Sequence, residues 1–168
     1  MKSGTVHLIY GPQGAGKSTL ARDLARQHSA VIFSIDDWMK ELFLPDLPPA
    51  PGLDWLLQRT RRCEGQIWSL GQQVLCLGRD AVLDLGPLRR EDRQRLRALV
   101  RGAGFDLQIH FAYAPLELRR QRVFSRNAER GETYSFAVSP EMFAFMEGAY
   151  EAPDEAELAD SRRPEVGR

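Results

Sequence analysis

The sequence predicts an α/β domain in which a parallel sheet lies between layers of helices. Four short apolar runs have the length and composition of buried strands, at 5–10, 30–35, 80–85 and 105–113. Helices are predicted between these runs, at 17–28, 36–43, 53–77 and 91–101. Strands that alternate with helices need crossover connections, which make the sheet parallel and place helices on both faces. Because the acidic C-terminus offers no further apolar run, we expect four to five strands.

Length and composition limit the classes of protein that the chain can represent. Its 168 residues suffice for one domain, which we place at 1–150, and the acidic stretch 151–168 is expected to be a poorly ordered tail. Lys plus Arg and Asp plus Glu both number 23, so no chain-wide charge attracts nucleic acid or an anionic membrane. Cys63 and Cys76 lack metal-ligand spacing, and the N-terminus lacks a long apolar segment. We therefore expect free thiols and a cytoplasmic protein without membrane contact.

A glycine-rich motif follows the first predicted strand and opens the first predicted helix. It reads GPQGAGKST and matches the pattern G-x-x-x-x-G-K-[ST] in full. The residues expected to bind a nucleotide are Gly11, Pro12, Gln13, Gly14, Ala15, Gly16, Lys17, Ser18 and Thr19. In such a loop, backbone N–H groups converge on phosphate oxygens, Lys17 bridges the outer phosphates, and Ser18 offers a hydroxyl to Mg²⁺. The sequence therefore predicts a three-layer P-loop NTPase fold of the nucleoside-kinase type.

Two carboxylates are expected at the same edge of the sheet as this loop. Asp36 follows the second predicted strand, where it could accept the proton of an attacking hydroxyl or, alternatively, cap the next helix. Asp84 interrupts an apolar strand, where it could hold Mg²⁺ together with Ser18 or simply precede the turn at Gly86. A polar side chain in a buried strand needs a partner, which favours a metal-binding or acceptor-orienting role for Asp84 over the turn.

A third feature is the arginine-rich helical segment that follows Pro115. Arg119, Arg122 and Arg126 are spaced three and four apart and share one face of the predicted helix. We expect a lid at roughly 115–132 in which Arg122 and Arg126 stabilise charge on a transferred phosphoryl group. A solvated charged helix is the alternative.

Taken together, the GPQGAGKST loop, the SIDDWM segment, the VLDLG strand and the RRQRVFSRN helix resemble a group of small P-loop kinases. The group contains zeta toxins, chloramphenicol phosphotransferase and the kinase domain of polynucleotide kinase. This resemblance covers roughly residues 4–130 and implies that Asp36 is a general base and that Arg122 and Arg126 clamp the phosphates. The closing stretch is similar to that of bacterial ATP-binding proteins with an AAA-type P-loop that are regarded as kinases. Neither resemblance names an acceptor.

These observations predict a kinase that moves the γ-phosphoryl group of ATP or GTP, with Mg²⁺, to a hydroxyl of a small molecule. A 5′-hydroxyl polynucleotide kinase is an alternative that the zero net charge disfavours. A nucleotide-binding switch or sensor without an acceptor is an alternative from another class.

Overall fold

The computed structural model describes residues 3–50, 52–129 and 137–162. The strands are β1 (Thr5–Tyr10), β2 (Val31–Ser34), β3 (Ala81–Asp84), β4 (Asp106–Phe111) and β5 (Ser161–Arg162). The helices are α1 (Lys17–His28), α2 (Ile35–Leu42), α3 (Leu53–Cys76), α4 (Arg90–Gly102), α5 (Leu116–Glu129), α6 (Pro140–Ala149) and α7 (Glu155–Ala159). A short 3₁₀ helix, Leu44–Asp46, follows α2.

The strands form one parallel sheet in the order β2-β3-β1-β4-β5. β1 is the central strand, and it pairs with β3 on one side and with β4 on the other. In an open parallel sheet, ligands bind beyond the carboxyl ends of the strands, where neighbouring connections leave in opposite directions. The glycine-rich loop leaves β1 at this edge.

Helices cover both faces of the sheet and complete the predicted three layers. On one face, the buried side chains of β1 and β3 pack with those of α3 and α4; this core contains Val6, Leu8, Leu83, Ile67, Leu75, Leu96 and Val100. On the other face, Ile9 and Val82 pack against Ala21 and Leu24 of α1. The sequence allowed breaks at Gly65 and Gly71, but α3 runs through both as one helix of 24 residues. Its buried apolar face compensates for a cost of about 1 kcal/mol per glycine.

Residues 151–162 depart from the expectation of a poorly ordered tail. They contain α7 and β5, and β5 pairs with β4 through Ile109–Ser161 and His110–Arg162. The reason is a buried ion pair: Arg93 of α4 donates from Nε and Nη2 to the two carboxylate oxygens of Glu157, at 2.9 and 2.8 Å. A strand of two residues has no apolar run of its own, so β5 could not be predicted from the sequence. Residues 163–168, and residues 130–132 of the predicted lid, lie outside the described residues.

Candidate active site

The glycine-rich loop is held in place by close contacts with β4 and α5. Gly14 has a φ of 76°, and a β-carbon there would lie 2.6 Å from the carbonyl oxygen of Arg119. A β-carbon on Gly11 would lie 2.2 Å from the carbonyl oxygen of Ala112, which follows β4. Both positions therefore need glycine because backbone from another element approaches the loop.

Lys17, the first residue of α1, lies over the loop that precedes it. Its Nζ donates hydrogen bonds to the carbonyl oxygens of Gly11 at 3.1 Å and Pro12 at 3.2 Å. Desolvation lowers the pKa of Lys17, and the nearby carboxylates of Asp84 and Asp36 oppose this effect. The ammonium group is therefore positioned at a helix N-terminus, where an anion such as phosphate is favoured.

Asp84 and Ser18 lie side by side at the end of β3. Asp84 is only 8% exposed, and its Oδ2 accepts a hydrogen bond from Ser18 Oγ at 3.3 Å. Burial raises the pKa of Asp84, Lys17 lowers it, and Asp36 raises it further. The expectation that Asp84 needs a partner is confirmed. One hydroxyl and one carboxylate oxygen are hard ligands of the kind that Mg²⁺ prefers, so the residues present fit this cation.

Asp36 lies in the first turn of α2, and a different residue forms the N-cap of this helix. Ser34 is the N-cap, and its Oγ accepts from the backbone N–H of Asp37 at 3.2 Å. Asp36 is exposed at the surface, yet the protein around its carboxylate raises its pKa, while Lys17 and Arg126 lower it. The alternative in which Asp36 serves as the helix cap is therefore wrong. Its carboxylate instead belongs to the same charged cluster as Lys17 and Asp84.

The arginines of α5 have different surroundings, although they were expected to share one face. Arg119 is buried and belongs to the framework: Nε donates to Ala114 O at 3.0 Å and Nη1 to Gln13 O in the loop at 3.2 Å. Its two Nη atoms also donate to the two carboxylate oxygens of Glu147 in α6. Arg119 thus connects the loop to α5 and α6 and is committed to protein partners.

Arg126 lies close enough to Lys17 and Asp36 to affect the pKa of both. Its Nε is buried, and among the described residues this atom has no hydrogen-bond partner. Arg122 is exposed, so its place in the site stays a prediction. α5 itself is fixed by the packing of Val123 against Val138 and Phe143.

Sequence reasoning missed Glu147, which anchors Arg119. A signal was present, since Glu147 is the only charged residue in the otherwise apolar stretch 142–150. A lone acid in such a segment indicates a buried or half-buried ion pair. Its partner could not be inferred, because it lies 28 residues earlier in the chain.

The parallel sheet, the loop after its central strand, and Lys17, Ser18 and Asp84 at that edge define a P-loop nucleotide-binding protein with a kinase-like fold. Residues 6–153 match the family model described as an AAA domain, and the chain belongs to this family. A search of curated proteins gives no match. In the part of the chain that the structure describes, no helix is both long and apolar enough to cross a membrane.

Three solved structures, two of them of kinases, share this fold at low sequence identity. The APS kinase CysC of Mycobacterium tuberculosis, in complex with AMPPNP and APS, has a TM-score of 0.60 and 19% identity, with 92% of this chain and 86% of that chain covered. A gluconokinase from Sinorhizobium meliloti has a TM-score of 0.62 and 15% identity, covering 99% and 85%. Chaetomium thermophilum Kti12, in complex with ADP-AlF3, has a TM-score of 0.66 and 17% identity, covering 94% and 86%.

Proposed function

We propose that this chain is a phosphotransferase that moves the γ-phosphoryl group of ATP or GTP to a hydroxyl group of a small molecule. The observation that carries the proposal is that the Asp36 carboxylate, at the carboxyl edge of the sheet, lies close enough to Lys17 for each group to shift the pKa of the other. A nucleotide-binding switch needs the loop and Lys17, whereas a kinase also gains from a carboxylate that accepts the acceptor's proton.

Lys17 and the backbone N–H groups of the loop bind the phosphates in this proposal. Ser18 and Asp84 would hold Mg²⁺, which supplies positive charge to the phosphate oxygens when it is bound. The buried carboxylate of Asp84 is disfavoured as an anion without a cation, because burial raises its pKa. This raised pKa supports a role in which a cation joins Asp84 in the working complex.

Asp36 is the proposed general base. Desolvation by the surrounding protein raises its pKa above the ordinary value of an aspartate, although Lys17 and Arg126 oppose this effect, so its carboxylate is a stronger base than that of an ordinary aspartate. Asp36 is exposed, which leaves it accessible to an acceptor hydroxyl. The proton moves from the acceptor oxygen to the carboxylate as that oxygen forms its bond to phosphorus and the bond to the β-phosphate oxygen breaks.

Arg126 and Arg122 are the proposed clamp for the transferred group. Arg126 has a buried Nε without a partner among the described residues, so it has an unused donor close to Lys17. Guanidinium donors placed where negative charge develops stabilise a transition state more than a ground state. Arg122 lies one turn earlier on the same helix, and its long, exposed side chain could reach the bound phosphates.

The kinase-like neighbours support a small acceptor, since one is an APS kinase and another a gluconokinase. The narrower likeness to zeta toxins, chloramphenicol phosphotransferase and polynucleotide kinase and a cytoplasmic location belong to this proposal as well.

The test is the fate of the γ-phosphoryl group. The protein, Mg²⁺ and γ-labelled ATP or GTP are incubated with a panel of sugars, nucleosides, aminoglycoside-type and phenolic alcohols, and 5′-hydroxyl oligonucleotides. We expect label in at least one small acceptor, and no transfer by Lys17→Ala. Label only in the oligonucleotides would identify a polynucleotide kinase instead. Release of inorganic phosphate alone, at a rate that no acceptor raises, would identify a switch and refute the proposal.

A further inference from the structure

The three histidines of the chain cluster around His7, whose ring contacts those of His28 and His110, and Asp80 lies beside both His7 and His28. His7 belongs to β1 and is fully buried, His28 is the last residue of α1, and Asp80 precedes β3. His7 Nε2 lies 3.2 Å from Asp80 Oδ2, and His28 Nδ1 lies 3.9 Å from the same oxygen. One ligand atom from each of His7, His28 and Asp80 lies within 4.8 Å of the other two.

These distances are close to those of a metal site. A tetrahedral Zn²⁺ with bonds of about 2.0–2.1 Å places its ligand atoms about 3.3 Å apart. The pair formed by His7 and Asp80 already has this spacing, and His28 needs a shift of about 1 Å or little more to reach it. The side chain of His28 is 29% exposed at a helix end, so it has room for that movement.

A second layer of contacts orients two of the three groups. The other carboxylate oxygen of Asp80, Oδ1, accepts the backbone N–H of Thr5 at 2.8 Å. The other ring nitrogen of His7, Nδ1, lies 3.1 Å from Nε2 of buried His110. When His7 donates from Nδ1 to His110, its Nε2 lone pair is left for an ion. Such outer partners fix the tautomer and orientation of metal-binding histidines and carboxylates.

We propose that His7 Nε2, His28 Nδ1 and Asp80 Oδ2 bind a divalent transition-metal ion, with Zn²⁺ as the preferred one. Two imidazoles and one carboxylate suit Zn²⁺, and the partial exposure of His28 and Asp80 leaves access for water as a fourth ligand. The site differs from the proposed Mg²⁺ site, since His28 lies about 16 Å along α1 from Lys17.

The ion would link the strand and the helix on either side of the glycine-rich loop to the residue before β3. β1 leads into the glycine-rich loop and α1 follows it, and the three ligands come from the first half of β1, the end of α1 and the residue before β3. An ion that binds only the folded chain stabilises it in proportion to its occupancy. The proposed role is structural, and no step of phosphoryl transfer involves this ion.

The test uses the untagged full chain without nucleotide, in a Cys76→Ser background that removes the exposed thiol. Zn²⁺ affinity is measured by competition with a chromogenic chelator, and Co²⁺ is added separately to record its visible absorption. We expect one equivalent of Zn²⁺, intense tetrahedral-type Co²⁺ bands, and a melting temperature that rises with Zn²⁺ concentration.

Two variants distinguish a metal-binding site from a cluster of side chains that only hydrogen-bond to one another. His28→Ala removes a half-exposed ligand and should weaken Zn²⁺ binding by at least about tenfold, with loss of the Co²⁺ bands. Asp23→Ala, an exposed carboxylate on the same helix, should leave both unchanged. Equal Zn²⁺ affinity in wild type and His28→Ala, or no Zn²⁺-dependent rise in melting temperature of the wild type, would overturn the proposal. A far-ultraviolet circular dichroism spectrum establishes that His28→Ala is folded.

Discussion

The substitution Glu157→Gln tests whether residues 151–162 are part of the fold. Arg93 is fully buried and Glu157 is 4% exposed, and the pair makes two hydrogen bonds. The amide introduced by the substitution would keep one carbonyl acceptor but would leave the guanidinium without a counter-charge. Nη1 of Arg93 also donates to the carbonyl oxygens of Leu88 and Glu151, so the residue itself stays anchored.

Removal of one partner of a buried ion pair costs about 3–5 kcal/mol. Because Gln retains an acceptor, we take the lower limit, about 3 kcal/mol. For a chain of this size, about 2–4 °C of melting temperature corresponds to each kcal/mol, so the expected decrease is about 6–12 °C. Glu155→Gln, exposed in the same helix, should change the melting temperature by less than about 2 °C.

The pH dependence supplies a second readout of the same substitution. The hydrogen bonds from Arg93 hold the pKa of Glu157 below its ordinary value. A carboxyl with a depressed folded-state pKa stabilises the protein above its ordinary pKa, and this contribution is lost as the pH falls through the folded-state value. The wild type should therefore lose more stability on acidification than Glu157→Gln does. Thermal and urea unfolding at pH 7 and at about pH 3, below the ordinary pKa of a glutamate, measure both effects, and equal melting temperatures for the two Gln variants would refute the reasoning.

Three further substitutions test the framework of the candidate site. Glu147→Gln weakens the anchor of Arg119 and should raise the KM for the nucleotide by about tenfold. Glu141→Gln, a substitution of an exposed residue in the same helix, should leave the KM unchanged. Steady-state kinetics compare the two variants, and equal KM values would contradict the anchoring role of Glu147. Asp84→Asn should remove Mg²⁺-dependent turnover and yet raise the melting temperature of the nucleotide-free protein at pH 8. The reason is that the raised pKa of Asp84 makes the folded wild type less stable as the pH rises above the ordinary pKa of an aspartate. A lower melting temperature of the variant would count against this reasoning. Gly14→Ala should destabilise the protein by more than about 1 kcal/mol and weaken nucleotide binding, since its β-carbon would clash with the carbonyl oxygen of Arg119. Gly102→Ala, at the end of α4 where a β-carbon would lie in open space, should change neither property. Denaturant unfolding and nucleotide titrations measure both variants, and equal results for the two would contradict the prediction.

The position of the glycine-rich loop between β1 and α1 could be predicted because its residues are contiguous and match a local pattern. The four main strands and their helices were likewise visible, since periodicity and apolar runs are local signals. Asp84 was predicted to have a partner from its position in an apolar strand, and Ser18 provides it.

The partners of buried charges could not be predicted from local patterns. Arg93 and Glu157 are 64 residues apart, and Arg119 and Glu147 are 28 apart, so neither pair has a helical or strand spacing that would reveal it. β5 follows from the same pair, because the anchored C-terminal segment is brought beside β4 without an apolar run. The histidine cluster depends on how β1, α1 and the start of β3 are placed in three dimensions. The cap at Ser34 was missed because Asp36, two residues later, is an equally suitable residue type.

The most direct test of the proposed role of Asp36 separates nucleotide binding from phosphoryl transfer. The Kd for the Mg²⁺–nucleotide complex and the rate of transfer to the acceptor from the panel are measured for wild type, Asp36→Asn and Asp23→Asn. A general base contributes about 10²–10⁴-fold to the rate, which corresponds to about 2.7–5.5 kcal/mol. We expect Asp36→Asn to lose this factor with an unchanged nucleotide Kd, and Asp23→Asn to match the wild type. Transfer by Asp36→Asn at the rate of Asp23→Asn would contradict the assignment of the base.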